Sequence, residues 1–276
     1  AWAWDFNGDT VTDSTVQNPA FPYISGGLYS VTLSVTGVGG NDKITKTNYI
    51  YVADTLTAVV PAGNATTEGN SYTSYPWNTS ATAGHRPQQC YDSSHFAGIT
   101  TPIIIQQLRW RANGSTTGTW TGGTYPGAII DISTAAFDHA ALTTTFANNH
   151  GLDRINVFTG TVTVDPCTAG SIPNVWYVTV RLQTPFIYDP TAGGDLLVDI
   201  TLPGVRVGGT SYSVDYQTTG SLSSRVYSAS NASSATGTFG TSAGIVMEIG
   251  YMPAAGLYPD FDADVKAGSG DRKSVV

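Results

Sequence analysis

Residues 27–36 read Gly-Leu-Tyr-Ser-Val-Thr-Leu-Ser-Val-Thr, so Tyr29, Val31, Leu33 and Val35 alternate with Ser30, Thr32, Ser34 and Thr36. A period of two places the two sets on opposite faces of an extended strand, one apolar and one rich in hydroxyls. Gly26-Gly27 before the run and Gly37–Asp42 after it are turn signals. Lys43–Val52 then reads as a partner strand, with Ile44, Tyr49, Ile50 and Val52 as its apolar content. A hairpin with one wet face is half of a β-sandwich.

Composition points the same way. Only 12% of the 276 residues are charged, against roughly 25% in an average soluble domain. Gly, Ser, Thr and Tyr take their place, the palette of strands and tight turns with neutral polar faces. The net charge of −8 argues against a nucleic-acid partner, which needs a basic surface. No apolar run approaches the ~20 residues of a membrane span.

The segment Trp4-Asp5-Phe6-Asn7-Gly8-Asp9 precedes the hairpin, with Asn18-Pro19, Phe21 and Tyr23 between them. Together with Gly27, Tyr29, Val31, Leu33 and Val35, these residues resemble the PKD domain, an immunoglobulin-like module. The family pattern is Trp-Asp-Phe-Gly-Asp-Gly, then Asn-Pro and an aromatic-Tyr pair, then Gly-Thr-Tyr-x-Val-x-Leu-x-Val. One departure is that Asn7-Gly8-Asp9 replaces the family's Gly-Asp-Gly turn. The resemblance implies a secreted or surface-anchored bacterial protein in which such modules act as spacers or adhesion surfaces without catalytic machinery. The family's first strands are missing, so residues 1–52 read as the C-terminal part of one copy, its apolar face expected to be partly uncovered. Pro259–Val265, Pro-Asp-Phe-Asp-Ala-Asp-Val, is similar to the opening strand of a further copy, so 257–270 reads as a linker and that strand. The last six residues, 271–276, resemble the translation of a sequencing-library adapter and are set aside from the fold.

Residues 53–256 form the larger part. Strands are expected at Thr55–Val60, Ile103–Ala112, Ala128–Ser133, Asn156–Val164, Val175–Gln183, Leu196–Leu202, Ser224–Ser228 and Ile245–Met252. Alternation assigns Trp176, Val178, Val180 and Leu182 to one face, and sets Leu196, Val198 and Ile200 opposite Asp195 and Asp199. Trp110 and Trp176 are expected in the core. Ala140–Asn148 is the only stretch with helical character. Many short strands without a βαβ rhythm predict an all-β chain, a truncated immunoglobulin-like sandwich followed by a larger antiparallel sandwich or jelly roll.

Several residue sets bear on chemistry. Cys90 and Cys167 are the only cysteines; in an extracellular setting they suggest one bridge, which would stabilise by on the order of 4 kcal/mol. The alternative is two unpaired core residues. Asp5, Asn7, Asp9 and Asp13 occupy positions 1, 3, 5 and 9 of an EF-hand-like calcium loop. Thr10 and Val16 stand where the turn Gly and the bidentate Glu belong, so the competing reading is a turn whose side chains bond their own backbone. Gly240-Thr241-Ser242-Ala243-Gly244 fits the nucleophile-elbow pattern, but a β-like run follows where a helix is needed. His85, His95, His139 and His150 show no tight metal spacing and read as loop histidines facing solvent. A hydrolase would require His85, His95 and one of Asp131, Asp195 or Asp199 to line one cleft.

The aromatics are the stronger lead. Trp120 sits in a Gly-Thr-Trp-Thr-Gly-Gly segment, and Tyr72, Tyr75 and Trp77 form a second group. Rings held out on such loops could stack on a sugar or a protein surface; the alternative is that they fold back onto the sandwich ends. The expectation is a non-catalytic segment acting in adhesion, ligand display or spacing. Its partners would be a protein or polysaccharide surface and neighbouring domains of a longer chain. A carbohydrate-binding module serving an extracellular enzyme is the alternative, and a hydrolase the third reading.

Overall fold

The structure is a computed structural model that describes residues 1–23, 27–52, 55–114, 118–168 and 170–254. The segments expected at 259–265 and 271–276 lie outside the described residues. The protein is all-β, and the chain divides into two compact units, one of Ala1–Thr57 with Gly250–Met252, the other built on Ala58–Ile249.

In the first unit, β1 (Trp2–Asp5), β2 (Gly27–Gly37) and β3 (Gly40–Val52) form an antiparallel sheet in the order β1-β2-β3. Trp4 lies opposite Leu33, and Leu33 opposite Ile44, so the apolar members of the alternation share one face. Along it the rings of Trp4, Phe6, Phe21, Tyr23 and Tyr29 make a continuous chain with centroid spacings of 4.7–5.4 Å. The Tyr23 hydroxyl ties it down by donating to the Phe6 carbonyl at 3.0 Å. The face is partly uncovered: Trp4, Val31, Leu33, Ile44, Lys46 and Tyr49 line a groove of about 300 Å³, and Ile44 and Tyr49 are exposed.

The remaining strands are β4 (Leu56–Val60), β5 (Ser71–Thr73), β6 (Arg86–Tyr91), β7 (Ile103–Arg111), β8 (Thr119–Trp120), β9 (Gly123–Thr134), β10 (Ile155–Val164), β11 (Cys167–Thr168), β12 (Trp176–Tyr188), β13 (Leu196–Thr201), β14 (Val214–Gln217), β15 (Ser223–Ser228), β16 (Thr238–Thr241), β17 (Gly244–Ile245) and β18 (Met247–Pro253). Ten of them make one large sheet, β16-β15-β6-β13-β9-β10-β12-β7-β18-β4, beside small sheets β17-β14-β5 and β11-β8. Its curl gives the unit its sandwich character.

Residues 196–200 of β13 are buried on both faces, which marks it as a central strand. On one face Val198 meets Ile132 and Ile200 meets Ile130, within the main apolar core. On the other, Leu197 joins Cys90, Leu142, Phe146 and Val226 in a smaller cluster. The stretch expected to be helical, 140–148, instead holds two short 3-10 turns, His139–Ala141 and Phe146–Asn149. Asp138 caps the first by accepting from Ala140 N at 2.8 Å, and Leu142 leaves it in an extended conformation.

Trp110 is buried as expected, but Trp176 is not a core residue. A bulge between the pairs Trp176–Arg111 and Val178–Trp110 breaks the alternation. Tyr177 and Val178 are therefore both buried, and Trp176 lies half-exposed against the guanidinium groups of Arg111 and Arg109, 5.3 and 5.7 Å from its ring. Gly84 makes the turn into β6: its φ of +72° suits glycine, and a Cβ there would strike the Leu202 carbonyl. That carbonyl accepts from His85 N at 2.9 Å.

The pair Arg111–Asp215 is almost wholly buried, with Nε–Oδ2 at 2.8 Å. Burial raises the Asp215 carboxyl above its usual range, and Arg111 opposes that shift. Removing one partner strands the other charge, so Asp215→Ala should cost about 3–5 kcal/mol. Urea unfolding of the two proteins checks this; a loss below about 1 kcal/mol would show that water reaches the guanidinium.

Candidate functional site

Trp77 anchors the site from below. Its ring is fully buried, edge-on to Trp110 at 5.0 Å and 5.8 Å from Tyr125. Ser211 Oγ donates to the Trp77 carbonyl at 2.7 Å, and Asn78 N to the Ser74 carbonyl at 2.8 Å. His85, also buried, bonds the Pro76 carbonyl through Nε2 at 2.8 Å and the Thr79 hydroxyl through Nδ1 at 2.5 Å. Burial holds the His85 pKa down at about 4, so the ring is neutral near pH 7.

Above this anchor lies an open cleft of about 570 Å³, lined by Tyr72, Thr73, Ser74, Tyr75, Asn78, Thr79, Ser80, Ala81 and Ala229. Tyr72, on β5, is exposed. Tyr75 is half-buried, 5.1 Å from Tyr227 and beneath the Arg225 guanidinium at 4.9 Å. Arg225 also sits over Tyr216 and Tyr227, and its Nη1 donates to Thr73 Oγ1 at 3.1 Å. The guanidinium thus fixes one ring and one hydroxyl of the wall. Burial raises the Tyr75 pKa, against Arg225, and keeps its phenol a donor. The lining contains hydroxyls, one carboxamide and two rings, and no carboxylate, ammonium or guanidinium.

Two of the four aromatic candidates are thus in the cleft. Trp77 is not a contact residue: sealed inside the core, it carries the loop. Trp120 is no free loop ring either. It lies on β8, opposite Cys167 of β11, and packs edge-on to Tyr212 at 5.0 Å, half-buried.

In the expected calcium loop the side chains bond the local backbone. Asp5 accepts from Gly8 N at 2.7 Å and Thr10 N at 3.0 Å, Asn7 from Asp9 N at 3.1 Å, Asp9 from Val11 N at 2.8 Å, and Asp13 from Phe6 N at 2.6 Å. Each side chain satisfies local backbone, the turn reading of the same spacing. The bridge between Cys90 and Cys167 is likewise not formed. Both are free buried thiols, Cys90 in the Leu142–Phe146–Leu197–Val226 cluster and Cys167 beside Trp120. Ser242 lies between two strands with φ +50° and no helix follows, so the Gly-x-Ser-x-Gly match is a turn.

The histidines are not solvent-facing. His85 and His150 are buried, and His95 accepts from Ala62 N through Nδ1 at 3.1 Å. The three aspartates named with them are each engaged by other groups. Asp131 pairs with Arg154, Asp195 accepts from Ser93 N and His139 N, and Asp199 is held by Arg86, Gln88 and His150. A Ser133–His150–Asp199 relay, with links of 2.8 and 3.0 Å, escaped sequence reading because its members are far apart in the chain. Ser133 is fully buried and Asp199 is bound to Arg86, so the relay lies in the interior of the sheet packing. Burial works to raise the Asp199 pKa, but the bonds from His150 and Arg86 prevail and hold it below the usual range. No family model, curated protein or solved structure matches the chain.

Two outcomes follow from these environments. Between pH 6.5 and 4 the unfolded chain binds a proton at His85 that the folded chain refuses. Stability should therefore drop as pH is lowered through this window, by up to about 1.4 kcal/mol per unit, and His85→Gln should flatten that slope in urea titrations. A thiol reagent should label neither cysteine in the native state and both in urea, since burial raises the Cys90 pKa well above normal; rapid native labelling would contradict the burial.

Proposed function

We propose that this chain is a non-catalytic segment of a secreted or cell-surface bacterial multidomain protein, and that it binds neutral polysaccharide through the Tyr72–Tyr75 cleft. The observation that carries the reading is the lining: two tyrosines of different exposure among neutral hydroxyl and amide groups, with no charged side chain. A sugar ring offers an apolar face for stacking and hydroxyls for hydrogen bonds, and tyrosine meets both needs with its ring and its tip. The openness of the groove suits an extended chain of sugars better than a small enclosed ligand. Residues 1–52 are read as a PKD-like spacer, their partly uncovered apolar face serving contacts with neighbouring modules. Whether the segment serves adhesion or delivers an enzyme depends on the domains beside it.

Glycan-array screening of the whole chain tests the proposal. Neutral polysaccharides should bind, and Tyr72→Ala should weaken the best of them ~10-fold or more, about 1.4 kcal/mol. Trp120→Ala should leave binding within about twofold, because its ring packs on Tyr212. Absence of binding to any polysaccharide, or binding unaffected by Tyr72→Ala, would refute the assignment.

A further inference from the structure

We propose that Asp92, Asp138, His139 and Asp195 form a site for one divalent transition-metal ion, with zinc the best fit. The four residues are brought together by strand order. β6 ends just before Asp92, β9 ends four residues before Asp138, and β13 begins just after Asp195. These strands are neighbours in the order β6-β13-β9 and run antiparallel, so the three segments leave the sheet at the same end.

Their donor atoms all lie within 4.8 Å of one another, the only such group of three or more ligand-type side chains among the described residues. His139 Nδ1 stands 3.3 Å from Asp92 Oδ2, 3.4 Å from Asp138 Oδ1 and 3.6 Å from Asp195 Oδ2. That nitrogen is sealed from solvent and makes no hydrogen bond, although three carboxylates face it. These separations suit ligands of a common ion better than partners of one another. Nitrogen and oxygen ligands at 2.0–2.2 Å from a tetrahedral zinc stand about 3.3–3.6 Å apart.

Charge gives an independent reason. Five acids are buried among the described residues: Asp131, Asp195, Asp199, Asp215 and Glu248. Four of them pair with an arginine, namely Arg154, Arg86, Arg111 and Arg109. Among the described residues no lysine or arginine pairs with Asp195, Asp92 or Asp138; the basic groups facing them are histidines, His139 at 3.3–3.6 Å from all three and His95 acting on Asp92. Burying a carboxylate beside two others without a cation is costly, and a divalent ion would remove most of that cost.

The supporting bonds are already in place. Asp92 Oδ1 accepts from Ser94 N, Asp138 Oδ1 from Ala140 N, and Asp195 from Ser93 N and His139 N, at 2.7–2.9 Å. Such backbone donors orient ligating carboxylates. The Asp138 side chain is 64% exposed, which gives an ion its way in. An imidazole nitrogen among the ligands favours zinc over calcium, which takes six or more oxygens.

The test uses the full chain after EDTA treatment, dialysed against low micromolar zinc and assayed for bound metal by mass spectrometry. One zinc per chain is expected. Cobalt(II) in its place should give the visible absorption of a tetrahedral nitrogen–oxygen site. His139→Gln should lose that absorption, and Asp138→Asn, a change at an exposed side chain that will not disturb folding, should weaken zinc binding ~10-fold or more. Failure to bind zinc would overturn the proposal, as would unchanged binding in both variants. Calcium displacing zinc at equal concentration would overturn the choice of ion.

Discussion

The Arg111–Asp215 pair holds the wall of the Tyr72–Tyr75 cleft as well as the core. Asp215 Oδ1 accepts from Gly69 N at 2.9 Å, and Arg111 Nη2 donates to the Thr67 carbonyl at 2.8 Å. The same two side chains therefore fix the segment that leads into β5. Within the small sheet, Asp215 lies directly opposite Tyr72. Arg111 stands on the large sheet at its pairing with Trp176, so one ion pair welds the strand bearing Tyr72 to the main framework. Its Coulomb attraction does little more than repay desolvation; its importance is that each charge has a single geometry in which it is satisfied.

Charge is scarce in this protein and is placed with economy. Arginines meet carboxylates where strands or loops must be joined: Arg86 to Asp199 across β6 and β13, Arg109 to Glu248 across β7 and β18. Arg225 is spent otherwise, on three tyrosine faces, and holds the cleft wall without placing a charge in its lining. Against this pattern the Asp92–Asp138–His139–Asp195 group stands out because its carboxylates are matched by no arginine.

The strands with strong alternation were legible in the sequence, β2 and β13 among them. Those missed had no such pattern. β6 reads Arg-Pro-Gln-Gln-Cys-Tyr, yet it lies inside the sheet because Gln88 and Gln89 find internal partners: Gln88 reaches Asp199 and the Phe146 carbonyl, and Gln89 the Ser224 and Ala243 carbonyls. Polar side chains satisfied only by tertiary contacts carry no local signature. The cleft was half legible. Tyr72 and Tyr75 were found as a cluster, but their separation from Trp77 depends on which way the turn after β5 faces. His139 looked unremarkable for the same reason: Asp138 is its chain neighbour, whereas Asp92 and Asp195 arrive only with the sheet order.

The position of β6 also bears on how the chain reaches this state. It lies between β13 and β15, and Gln88 and Asp199, which bond across the first of these contacts, are 111 residues apart in the chain. No neighbour for β6 exists until nearly the whole unit is available. Closing so distant a pairing is entropically costly and slows this step of folding. A chain that emerged from its N-terminus would thus be free to pair β7, β9, β10 and β12 with one another first, whereas β6 and the acidic cluster beyond it would wait for β13.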